Sequence, residues 1–107
     1  MRVELLWWEG CPSYPQALDE LKAVLRAEGL DPDAVQVREV ESDEQAERER
    51  FPGSPTIRVD GDDLLPPGGG SPVGLTCRLY RRRDGRPSPT PDPADVKDAI
   101  RRLRAEP

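Results

Sequence analysis

An apolar strand-forming segment, Arg2–Trp8 (RVELLWW), breaks at Glu9-Gly10-Cys11-Pro12 straight into the best-marked helix of the chain. That strand–turn–helix unit limits the fold more than any other feature. The segment contains no breaker and reads as a buried central strand. Ser13 starts the helix, with Gln16 three residues on to complete a capping box, and Pro15 falls in the first turn, where its missing N–H costs little. Tyr14, Leu18, Leu21 and Leu25 step by four, three and four and make one apolar stripe. Gly29 ends the helix.

The rest of the chain supplies shorter units. Val35–Val40 (VQVREV) reads as a second strand. Ser42 with Gln45 repeats the capping pattern and opens a polar helix to about Arg50. That helix offers only Ala46 inward, with Phe51 just beyond it, so it is expected to be weakly held. Gly53-Ser54-Pro55 leads into a third strand, Thr56–Val59, and Asp60-Gly61 turns the chain. Residues 61–75 read as a long loop of the kind that is uncommon without a function. Leu75–Tyr80 reads as a fourth strand with Leu75, Cys77 and Leu79 on its inner face. A proline-rich connector, residues 86–91, precedes a last helix capped by Asp92 with Pro93 at its first position and a buried stripe of Val96, Ile100 and Leu103. The expected fold is α/β, in the order β-α-β-α-β-β-α, as one domain over residues 1–107. Two right-handed crossovers from a central first strand and an edge hairpin give a four-stranded mixed sheet of order 2-1-3-4. Helices one and three cover one face and helix two the other.

Composition removes several functions. The 107 residues carry a net charge of −5, against the excess of Lys and Arg that a nucleic-acid surface needs. No apolar run approaches the ~20 residues that cross a bilayer, and Arg2 and Glu4 interrupt any leader-like segment, so the expected compartment is the cytoplasm. The basic run Arg81–Arg83 reads as a solvated strand end, and the acidic stretch Glu39–Glu49 as a solvated helix surface. Histidine does not occur, which leaves no imidazole ligand and no Ser-His or Cys-His pair. Two thiols alone cannot close a tetrahedral zinc site. No cofactor is expected, and the chemistry rests on thiols, carboxylates, tyrosines or backbone dipoles.

Cys11 stands just before a helix N-terminus, where free N–H groups favour the thiolate while Glu9 opposes it. It is the candidate nucleophile. Cys77 reads either as a small core residue between Leu75 and Leu79 or as a partner thiol. The simplest hairpin register puts it nearer Val59 than Pro55, beyond the ~7 Å that a disulfide spans. Trp7 and Trp8 point to opposite faces of the first strand, one into the core and one toward a substrate groove. Tyr14 is either the first rung of the helix stripe or a hydroxyl within reach of Cys11.

Trp8-Glu9-Gly10-Cys11-Pro12-Ser13-Tyr14 and Gly53-Ser54-Pro55-Thr56, in this element order, resemble the thioredoxin superfamily. The resemblance implies a thioredoxin-like fold with a cis peptide before Pro55 facing the thiol of Cys11, and a substrate groove formed by Trp8, Tyr14, Ser54, Pro55 and Thr56. Tyr14 stands where a dithiol thioredoxin has its second cysteine, so the site looks like the one-cysteine site of monothiol glutaredoxins. Gly74-Leu75-Thr76-Cys77-Arg78-Leu79-Tyr80 is similar to the segment with the second active-site cysteine of alkylmercury lyases. Those enzymes carry an aspartate three residues after their first cysteine, where Tyr14 stands here. The leading expectation is a thiol-disulfide oxidoreductase-like or thiol-adduct protein acting through Cys11 on a thiol-bearing small molecule or protein. One alternative is a soft-metal, mercury-type binder using Cys11 and Cys77. Another is a non-catalytic interaction module.

Overall fold

A computed structural model describes residues 1–67 and 72–105. Part of the expected 61–75 loop, residues 68–71, lies outside the described residues. The chain runs β1 (Val3–Trp7), α1 (Tyr14–Ala27), a single 3₁₀ turn (Pro32–Ala34), β2 (Gln36–Glu39), α2 (Asp43–Glu49), β3 (Thr56–Val59), β4 (Asp62–Asp63), β5 (Tyr80–Arg81), β6 (Pro87–Ser88) and α3 (Pro93–Ala105). The main sheet has the order β2-β1-β3-β4, with β1 parallel to β2 and antiparallel to β3. Among the described residues no helix is long and apolar enough to cross a membrane.

The order 2-1-3-4 is the expected one, but two of its strands differ from expectation. A right-handed crossover from β2 would lay β3 parallel to β1; β3 instead returns antiparallel. The fourth strand is Asp62–Asp63, paired with Arg58 and Val59 across the two-residue Asp60-Gly61 turn. Both turn residues have positive φ, 51° and 89°, the conformation that closes a tight hairpin with the twist of its strands. This hairpin takes the β3 edge at its Val59 end, so Leu75–Tyr80 cannot pair there. That segment contributes β5, which forms a separate two-stranded ribbon with Pro87–Ser88 inside the expected connector.

Alternation along β1 divides the interior into two layers. Val3 and Leu5, with Ile57 and Val59, face Leu21 and Leu25 of α1 and Val96 and Ile100 of α3. Leu6 faces the other way, onto Val40, Ala46 and Phe51 under α2, with Trp8 and Leu75 packed alongside. The helices therefore cover the two faces as expected. Leu103 does not complete the α3 stripe; it is exposed, and Ala99 is the buried neighbour of Ile100.

The α2 layer is held more firmly than its single inward alanine suggests. Phe51 is fully buried, and Ser42 caps the helix by accepting from the Gln45 N–H. Beneath it Glu4 is buried and lies against Arg38, with Nε 2.7 Å from Oε2. Arg38 continues to Glu49, and Arg58 donates to the Glu49 carbonyl. The acidic stretch is thus partly an ion-paired layer between α2 and the sheet rather than a wholly solvated surface.

Asp92 caps α3 by accepting from the Ala94 N–H, while its second oxygen accepts from the Arg83 N–H. The Arg83 and Ala94 N–H bonds hold its carboxyl below the usual range. A lowered folded-state value gives stability that is present above the unfolded pKa and lost as pH falls through the folded one. Asp92→Ala is expected to cost about 0.5–2 kcal/mol at neutral pH and less in acid, measured by denaturant unfolding at the two pH values. Arg83 also pairs with Asp95 and Asp98 of α3, while Arg81 stays at the surface, so the basic run is a largely solvated strand end with one arginine tied to α3.

Candidate functional site

Cys11 lies between β1 and α1, with its N–H bonded to the Trp8 carbonyl at 3.1 Å. Ser13 already has helical backbone angles (φ −84°, ψ −9°) and makes no side-chain cap. The expected Ser13–Gln16 capping box therefore does not form. Ser13 Oγ instead lies 4.0 Å from Cys11 Sγ, and Gln16 donates to Glu20. Cys11 is only 2% exposed.

The second wall is the turn into β3. The Ser54–Pro55 bond is cis, and the Cys11 thiol points at the Ser54 carbonyl, Sγ to O 3.6 Å. Ser54 Oγ accepts from the Trp8 N–H at 3.0 Å, which ties the turn to the end of β1. Ser54, Pro55 and Thr56 are all fully buried.

A segment of the chain's own covers them. The Ser54 N–H donates to the Thr76 carbonyl and the Arg78 N–H donates to the Ser54 carbonyl, both at 2.8 Å, a parallel bridge that places Cys77 opposite Ser54. Gly74 donates to the Phe51 carbonyl one step earlier. Cys77 thus docks at the Pro55 end of β3 and not at the Val59 end, because the Asp60-Gly61 hairpin has displaced its segment. The register from which the two cysteines were expected to lie apart is overturned. The bridge sets Cys77 opposite Ser54, at whose carbonyl the Cys11 thiol points, and hydrogen bonding to Cys11, with burial second, raises the Cys77 thiol from the ordinary 9.0 to about 11. Both cysteines are free thiols.

Leu75 faces inward as expected, but from Cys77 onward the same register reverses the expected inner face. Arg78 and Tyr80 are buried, whereas Cys77 is exposed and Leu79 is 72% exposed. The reading of Cys77 as a core residue is therefore corrected: of the two thiols, Cys11 is the buried one. An open groove of about 580 Å³ runs past Cys77, with Leu79, Tyr80, Pro52, Pro66 and Pro91 in its walls. Trp8, Tyr14, Ser54, Pro55 and Thr56, expected in a groove, are not in its lining. Tyr14 stacks on Trp7, ring centroids 4.2 Å apart at 19°, as the first rung of the helix stripe. Trp8 folds over Gly10, whose missing Cβ would stand 2.3 Å from the indole.

The chain matches no family model, no curated protein and no solved structure. The buried Cys11 thiol and the Arg78 N–H meet at the Ser54 carbonyl, and the surface Cys77 stands next to Arg78 in the chain. Among the described residues no group of three or more His, Cys, Asp or Glu side chains converges. A metal at this pair would be held by sulfur. Arg78 and Tyr80 escaped the sequence reading; their alternation with Cys77 and Leu79 was visible, but its direction depends on which end of β3 the segment reaches.

Proposed function

We propose that the chain is a thioredoxin-like thiol protein in which Cys11 and Cys77 work as one two-electron site. The parallel bridge that sets Cys77 against Cys11 beside the cis Ser54–Pro55 bond carries this reading. It supplies from a distant strand the second thiol that Tyr14 denies to the helix turn. Exposed Cys77 attacks a disulfide-bearing partner as its thiolate, forming a mixed disulfide and releasing one partner thiolate. Cys11 then attacks the Cys77 sulfur from beneath, closes the Cys11–Cys77 disulfide and releases the second partner thiolate. The two thiol protons end on the partner's sulfurs, so two electrons pass from the cysteines to the partner. A reducing compartment such as the cytoplasm, through its small thiols, returns the pair to the dithiol.

Reaction with a small aromatic disulfide, followed by peptide mass spectrometry, tests this. The expected product is an intramolecular Cys11–Cys77 disulfide, formed at a rate that rises about tenfold per pH unit until Cys77 is ionised. A stable mixed disulfide on Cys77 with Cys11 still free would contradict the reading and favour an interaction module.

A second reading, capture of a soft cation, is supported by two sulfurs converging without other ligand types. Mercuric ion would bind once per chain, need both cysteines and release protons as the thiols ionise. Carbon–mercury cleavage finds no support at Tyr14, which offers no carboxyl proton donor and stacks on Trp7.

A further inference from the structure

We infer that Arg78 is the positioning residue of the two-thiol site: its buried guanidinium pins residues 76–78 to β3 and the β4 hairpin and so holds Cys77 against Cys11. This rests on reading Cys11 and Cys77 as one site. Arg78 is 7% exposed. Its Nη1 donates to Asp63 Oδ2 at 2.9 Å and to Thr56 Oγ1 at 3.3 Å, and its Nη2 donates to the Leu65 carbonyl. The guanidinium also lies 4.4 Å over the Tyr80 ring, whose hydroxyl donates to the Pro55 carbonyl at 2.6 Å. One side chain thus joins β3, β4 and the start of β5. Only a planar fork with several fixed donors can make these contacts at once.

The link to the thiols runs through the backbone. The Arg78 N–H and the Cys11 thiol share one acceptor, the Ser54 carbonyl. Gly53 permits this approach, since a Cβ there would stand 2.9 Å from the Arg78 nitrogen. With Thr76 and Arg78 both bonded to Ser54, Cys77 between them has little freedom to leave Cys11. Without the guanidinium anchor, the segment rests on these backbone bonds and the Gly74–Phe51 bond. The pair then opens.

The sign of the effect on Cys77 separates position from charge. Loss of a positive charge can only raise a thiol titration, whereas letting Cys77 leave Cys11 lowers it. The experiment follows alkylation of Cys77 against pH, located by peptide mass spectrometry, in the wild type and in Arg78→Met, Arg78→Lys, Asp63→Asn and Cys11→Ala. Arg78→Met is expected to lower the midpoint from about 11 toward 9.0 and to slow closure of the disulfide. Arg78→Lys keeps the charge without the fork and is expected to fall as well. Asp63→Asn weakens the same anchor at a partly exposed hairpin, shifts the midpoint in the same direction by less, and serves if the Arg78 variants do not fold. A midpoint that rises in Arg78→Met, or stays at about 11 in Arg78→Lys or Asp63→Asn while Cys11→Ala lowers it, overturns the positioning role and leaves the pair intact. A midpoint that Cys11→Ala does not lower removes the two-thiol reading itself.

Discussion

Phe51→Ala is expected to cost about 3–5 kcal/mol of stability, as much as the best core positions under α1. Phe51 is fully buried among Leu6, Val40 and Ala46, and its N–H closes α2 by donating to the Ala46 carbonyl at 2.9 Å. Its own carbonyl accepts from Gly74, so the same residue receives the segment that carries Cys77. The deletion therefore leaves a cavity between α2 and the sheet and loosens the approach to the thiol pair. Leu21→Ala, 1% exposed on the opposite face, is expected to cost about 2–5 kcal/mol. Comparable denaturant midpoints for the two variants would show two cores of similar weight. A loss below about 1 kcal/mol for Phe51→Ala would show that α2 is as weakly held as its polar sequence suggests.

Gly53→Ala should act on the site more than on the fold. Gly53 has φ +131°, a region that side-chain-bearing residues rarely adopt, and its Cβ would meet the Arg78 nitrogen at 2.9 Å and the Arg78 Cα at 3.0 Å. The obstacle is backbone, so no flexible side chain can move aside. Backbone strain of about 1–3 kcal/mol is expected, and the clash with Arg78 is relieved by withdrawal of residues 76–78 from Ser54. Cys11, covered in the wild type, should then alkylate at least about tenfold faster, the factor that 1.4 kcal/mol of lost docking produces. Unchanged Cys11 protection in Gly53→Ala would mean that the segment is not what covers it.

Most of what was legible came from local signals, although the Ser13–Gln16 capping box, equally local, does not form. The α1 stripe, the Thr56–Val59 strand and the Asp92 cap follow from spacings of four residues or fewer, and the two-sided helix arrangement from the order of the elements. The fourth strand did not, although Asp60-Gly61 is a strong hairpin signal. Its partner strand is two carboxylates, Asp62–Asp63, with no apolar alternation to announce it. Choosing Leu75–Tyr80 instead moved Cys77 to the wrong end of β3 and turned Arg78 and Leu79 to the wrong sides. At the site, the place of Cys11 before α1 and beside the Ser54–Pro55 bond was legible from two short motifs. The meeting of Cys11 with Cys77 was not, because it depends on where a long connection re-enters the sheet.

The most direct measurement is the ultraviolet thiolate titration of Cys77 with and without its neighbour. Contact with Cys11 holds the Cys77 proton to about pH 11. A folded-state value above the unfolded one means stability that is full below the unfolded pKa and lost as pH rises through the folded one. The wild type should therefore lose stability between about pH 9 and pH 11 through this group, and Cys11→Ala should lose less. In Cys11→Ala, Cys77 should titrate well below 11, between there and the ordinary 9.0, with only burial left to raise it. A Cys77 that titrates at the same pH in both proteins would contradict the claim that the two cysteines form one site.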